Sequence, residues 1–144
     1  VKQIPRSALY LGLAGVLPFA WGALTILIPG LGDWSLDVLG SRLSGRTLLL
    51  GYGTVILSFM SGVIWGYATH ARGRHAAALY ALSTVPALWA FFLGFSALAL
   101  ALGFIALLGL DWHSQRTLLA PAWWMRLRLL LTALVVFCLL SGVP

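Results

Sequence analysis

Three histidines, three aspartates and one cysteine are the side chains of this sequence best suited to ligating a metal or moving a proton near neutral pH. Their spacing argues against both. His70 and His75 stand five apart across a glycine-containing connection, which is not a ligand spacing, and His113 lies far along the chain. We expect all three histidines to be interfacial, bonded to water or head groups, with no metal and no cofactor. Cys138 is the only cysteine and sits in an apolar run, so an intramolecular disulfide or a Cys-x-x-Cys motif is impossible. Intramembrane hydrolysis needs a paired nucleophile and base or a metal. No Ser-His pair or His-acid pair occurs at suitable depth, and we expect no catalytic residue and no enzyme.

The stretch GYGTVILSFMSGVIWGYATH, residues 51–70, offers a different kind of site. Thr54, Ser58, Gly62 and Gly66 recur every four residues, which places them close together on one helix face. Small and hydroxyl side chains let a second membrane helix approach closely. We read these four as a helix-packing ridge, serving the chain's own bundle first and a partner protein second. Ile56, Phe59, Met60 and Val63 form the opposite face, which suits lipid or bulky partners.

The elements that hold these residues follow from composition. Hydrophobic residues make up 61% of the chain, charged residues only 8%, and the mean hydropathy is +0.99. Such a chain is an all-α polytopic membrane bundle, and 144 residues leave room for four or five spans in a single domain, 1–144. Residues 8–29 carry no charge and give a helix of ~33 Å, enough to span. A signal peptide is the competing reading, but the apolar run is long and no A-x-A-like cleavage site follows, so we expect a retained span. Pro18 should kink it and Pro29-Gly30 should end it. Residues 30–46 form a polar connection in which 36–43 reads equally as a short amphipathic helix or as a plain loop. The second span covers about 47–69.

Residues 76–110 hold no charge, and as one helix would run ~52 Å against a hydrocarbon core of ~30 Å. We therefore expect a hairpin turning at Gly94, with spans about 76–93 and 95–110. A polar loop at 111–122 should follow, then a last span over about 123–140. With five spans, Lys2, Arg6, Arg72, Arg74, Arg116, Arg126 and Arg128 share one side, against Arg42 and Arg46 on the other. A single crossing at 76–110 would split the basic residues four against five. The positive-inside rule thus favours five spans, N-terminus inside and C-terminus outside.

On this reading no Asp, Glu, Lys or His lies within the hydrocarbon, which argues against a proton-coupled pump. The net charge of +6 is spread over span ends, so we expect anionic lipids as partners and no nucleic acid. Arg72, Arg74, Trp123, Trp124, Arg126 and Arg128 are the expected head-group and interface residues, the last two arginines snorkelling from the span edge. The arginine-, alanine- and leucine-rich usage suggests a GC-rich bacterial source, hence an inner-membrane location.

Three segments, LGLAGVLPF, YGTVILSFMSGVIWG and PAWWMRLRLLLT, resemble a family of small bacterial membrane proteins of unknown function whose animal relative is called transmembrane protein 69. The resemblance covers nearly the whole chain and implies five spans, with no enzyme activity, cofactor or substrate. In that family the second span often reads Gly-Gly-x-His-Trp-Gly, whereas here Ser61 replaces the first glycine and Ile64 stands at the histidine. A function resting on that histidine would be missing from this chain.

Two functions fit these features. The first is a non-catalytic accessory subunit or assembly aid of a larger inner-membrane complex, respiratory or photosynthetic, with other membrane subunits as partners. The alternative is an oligomeric carrier or channel for a small neutral or lipid-like molecule, lined by Tyr52, Thr54, Ser58 and Ser61.

Overall fold

A computed structural model describes residues 3–144, and among them there are helices and turns but no strands. Six α-helices follow one another: α1 (Arg6–Leu27), α2 (Pro29–Leu39), α3 (Gly45–Ala68), α4 (Gly73–Leu93), α5 (Ala97–Arg116) and α6 (Trp124–Leu140). Four of them, α1, α3, α4 and α5, are long and apolar enough to cross a membrane. The fifth long helix, α6, has 17 residues, about 26 Å of helix, and begins with a turn that contains Arg126.

The connection after α1 is more ordered than its sequence suggests. Pro29 does not merely end α1. It opens α2 as the first helical residue, where its missing N–H is no loss and its fixed φ suits the helix. The helix therefore lies at Pro29–Leu39, earlier than 36–43, and a 3₁₀ turn at Ser41–Leu43 follows it. Gly40, with φ at +86°, reverses the chain between the two. A polar knot holds α2 to the bundle. Ser35 is fully buried, its hydroxyl lies 2.7 Å from the Ser44 hydroxyl, and the Trp21 indole N–H reaches Ser35 Oγ at 3.2 Å and the Leu43 carbonyl at 3.1 Å. The Gly45 N–H donates to Thr25 Oγ1 at 2.7 Å, satisfying one of the free donors at the start of α3.

The long helices run up and down. Gly22 of α1 lies against Leu49 near the start of α3, while Gly15, earlier in α1, accepts through its carbonyl from the Tyr52 hydroxyl at 3.0 Å. Trp65 of α3 packs on Tyr80 of α4, and Thr54 meets Gly94 at the hairpin turn. The hairpin falls where the length argument requires it: α4 ends at Leu93, and Ser96 caps α5 by accepting from the Ala99 N–H at 3.2 Å. Arg46 ties one end of the bundle together, its Nε donating to the Gly142 carbonyl at 3.1 Å and its Nη2 to the Phe95 carbonyl at 2.9 Å. The core between the helices contains Phe19, Leu49, Leu57, Ile64, Leu100, Phe104 and Leu139.

Pro86 sits inside α4 and removes a helical hydrogen bond, as its sequence position requires. Ser61 of α3 repairs the break. Its hydroxyl donates to the Ser83 carbonyl and accepts from the Ala87 N–H at 3.2 Å. An unbroken helix would pair those two groups with each other. The serine that departs from the Gly-Gly pattern thus joins α3 to the proline bend, while Ile64 is fully buried.

Candidate functional site

The expected ridge on α3 divides. Thr54 is half-buried at the α4–α5 turn, and its hydroxyl donates to the Leu50 carbonyl at 2.8 Å. Ser58 is half-exposed. Gly62 and Gly66 are exposed, and among the described residues no atom outside their own helix lies within 4 Å of where their Cβ would stand. These two glycines are therefore not the contacts of the chain's own bundle. The core face of α3 is instead Leu49, Gly53, Leu57, Met60, Ser61, Ile64 and Ala68. Met60, expected on the lipid side, is buried, and Ile56 and Val63 pack against the core. The close helix approaches fall at other glycines. A Cβ on Gly103 of α5 would come within 2.8 Å of Leu57 and 2.9 Å of Trp89, and one on Gly22 within 2.9 Å of Leu49.

The largest departure from the sequence reading is Asp111. It is not in a polar loop. α5 continues without a break through Asp111 to Arg116, and Asp111 is 0% exposed. Its carboxylate is satisfied from α6: Trp124 Nε1 donates to Oδ1 at 2.9 Å and Arg128 Nε to Oδ2 at 2.9 Å. A charge ends an apolar helix only when water must solvate it, and here a cation and an indole N–H replace the water. Arg128 is likewise not a head-group residue, being 4% exposed. Its Nε is spent on Asp111, and among the described residues Nη2 has no hydrogen-bond partner. Asp111, expected in a polar loop, and Arg128, expected at the membrane surface, thus form a charged pair buried within the bundle.

Local structure explains how the two meet. After α5 the chain turns sharply through Leu118, which has φ at +63° and is exposed. The N–H groups of Leu119 and Ala120 fold back onto the Ser114 carbonyl at 2.9 and 3.0 Å. Gln115, one turn beyond Asp111, accepts the Met125 N–H at 2.8 Å and so satisfies a free donor in the first turn of α6. Asp111 and Gln115 share a face of α5, and the positive end of α6 favours the carboxylate placed against it. Tyr67 of α3 closes the cluster with its ring edge-on to Trp124, centroids 5.5 Å apart.

Of the other expected interface residues, Arg72, Arg74 and Arg126 are exposed, and Trp123 is half-buried against Trp124 at 6.0 Å between ring centroids. His75 and His113 come together across α4 and α5, their Nε2 atoms 2.8 Å apart, so that one ring donates and the other accepts. His70 does not join them and lies beside the Thr69 hydroxyl. Among the described residues no three His, Cys, Asp or Glu side chains gather in a way that would hold a metal ion.

A cavity of about 180 Å³ lies between α1, α3, α5 and α6. Its walls are apolar, among them Val16, Phe19, Ile56, Phe104 and Val135, with two polar side chains, Arg128 and Thr132. Nothing in the sequence singled out this arrangement. The one available signal was that Arg128 and Thr132 are four apart, like Asp111 and Gln115, and so fall on one helix face.

No solved structure matches the chain. Residues 4–143 match the family described as "Protein of unknown function (DUF3429)". The chain is 33% identical over 153 residues to Transmembrane protein 69 of Xenopus tropicalis, an alignment covering 99% of this chain and 55% of that protein. The chain thus spans about half the length of the curated relative it matches. With a match that takes in both the α3 stripe and the Asp111–Arg128 pair, the chain belongs to this family of membrane proteins related to Transmembrane protein 69.

Proposed function

We propose that the chain is a non-catalytic accessory subunit or assembly aid of a larger complex in a bacterial inner membrane, of the respiratory or photosynthetic kind. The observation behind this reading is the outward face of α3. Gly62 and Gly66 are exposed, and among the described residues nothing outside their own helix stands within 4 Å of where either Cβ would be. In lipid, a bare helical backbone gains from close packing against another helix. Among the described residues no helix takes that place.

Isolation in a mild detergent tests the reading. The parent protein should bring down another membrane subunit in fixed stoichiometry. Gly62→Leu and Gly66→Leu should lose that subunit while melting within about 0.5 kcal/mol of the parent, since among the described residues nothing outside the helix stands within 4 Å of where either Cβ would be. Full retention of the partner by both variants sinks the proposal.

The proposal includes five spans, N-terminus inside, with exposed Arg72, Arg74 and Arg126 meeting anionic head groups. The antiparallel course of α5 and α6 and the six-to-two distribution of the basic residues other than buried Arg128 support it. Cysteines introduced at residue 3, within 70–75 and within 114–118 should resist an impermeant thiol reagent in intact cells, and those within 33–44 and at 143 should react. Reaction at 114–118 with protection at 143 would remove one crossing.

A further inference from the structure

We propose that the cavity between α1, α3 and α6 binds a neutral amphiphile by its carbonyl oxygen, with Arg128 and Thr132 as the donors. This goes beyond the packing role, since it concerns a different face of the bundle and a small ligand instead of a protein.

The polar end of the cavity is built and incomplete. Arg128 is 4% exposed and Thr132 3%, both line the cavity, and among the described residues Arg128 Nη2 and Thr132 Oγ1 have no hydrogen-bond partner. Buried donors left unbonded are costly, so native structures satisfy nearly all of them. The two residues are one turn apart on α6 and present their side chains to the same space. A carbonyl oxygen has two lone pairs and can accept from both.

Charge decides between a neutral acceptor and an anion. The Arg128 guanidinium is already neutralised by Asp111, whose two oxygens are occupied by Trp124 Nε1 and Arg128 Nε. A carboxylate or phosphate entering beside this pair would place a second negative charge near Asp111, out of water and without a second cation among the lining residues. A neutral oxygen accepts the same hydrogen bonds without that penalty.

Shape decides the rest. The remaining walls are hydrocarbon and aromatic rings, which favour an apolar body over a water cluster. A cavity of about 150 Å³ holds a benzene ring, so 180 Å³ accepts a single ring or a short ester head. Leu11 and Phe59 form the rim and are 75% and 64% exposed on the outer surfaces of α1 and α3. The cavity therefore opens sideways, toward the phase that surrounds the apolar helices, and an alkyl or isoprenoid tail can leave through that opening. Two sources share this chemistry: a ring ketone such as a quinone, and the ester carbonyl of a glycerolipid.

Quenching of tryptophan fluorescence by decyl-benzoquinone, in the intact chain in maltoside micelles, measures the site. Competition with dioctanoylglycerol, laurate and decane identifies the chemistry. We expect saturable quenching that dioctanoylglycerol relieves, laurate and decane being at least tenfold weaker competitors. The tighter of the two carbonyl probes names the source. Thr132→Val keeps the shape and removes one donor, and should weaken binding about fivefold. Gly15→Leu projects a side chain into the cavity, where its Cβ has no neighbour closer than Tyr52 at 3.9 Å, and should abolish the saturable component. Both variants are to elute and melt as folded protein before they are read. Decane binding as tightly as the carbonyl probes, laurate binding more tightly, or quenching by quinone that neither variant alters, would each overturn the proposal.

Discussion

Asp111→Leu and Arg128→Met should each lower the stability of the detergent-solubilised protein by about 3–5 kcal/mol, and the double variant should recover most of that loss. Each single change strands a charge in the interior. Without Arg128, among the described residues the Asp111 carboxylate keeps only the Trp124 N–H, at 0% exposure. Without Asp111, the guanidinium has no anion, because among the described residues no other acidic side chain bonds it. The double change removes both desolvation penalties and leaves two apolar side chains of similar bulk, a replacement that is often neutral in protein interiors. Equilibrium unfolding of all four proteins closes a double-mutant cycle, and the coupling should exceed ~2 kcal/mol. Single variants within 1 kcal/mol of the parent would mean that water reaches the pair.

Gly103→Leu should destabilise by about 3 kcal/mol, at the upper end for overpacking, or prevent folding. Gly103 is buried where α3, α4 and α5 meet, and its missing side chain is the space filled by Leu57 and the Trp89 indole. Trp89 cannot yield freely, since its N–H donates to the Ala99 carbonyl at 2.6 Å. Gly109→Leu supplies the control on the same helix. Among the described residues no atom outside the helix stands within 4 Å of its Cβ, so its melting point should stay close to the parent's. Equal effects at the two positions would show that helix propensity, not the three-helix contact, sets the outcome.

Much of the architecture was legible because it follows from length and solvent. An uncharged run of 35 residues is too long for one crossing, and the chain does reverse at Gly94. The hydroxyl groups were harder to place. Ser61 reads as a departure from a small-residue pattern, yet its use is set by Pro86, 25 residues later, whose bend frees a carbonyl and an N–H for it. The glycine stripe was legible as a stripe, but the helix it would meet was not. Periodicity groups Gly62 with Gly66 on one face but does not say which way that face turns.

By itself the sequence determined an all-helical membrane chain, its four longest apolar helices and its membership of a family, because hydropathy and length are properties of consecutive residues. The tertiary structure alone decided the rest. It brought Asp111 and Arg128, 17 residues apart and separated by a turn, into one buried pair. It turned Gly62 and Gly66 outward and Gly103 inward. Among the described residues it left Arg128 Nη2 and Thr132 Oγ1 without hydrogen-bond partners, on two residues that line a cavity of about 180 Å³. The physical reason is common to all three. A charge, a glycine or a hydroxyl has no fixed environment of its own, and what it costs or contributes depends on the atoms that a different helix sets against it.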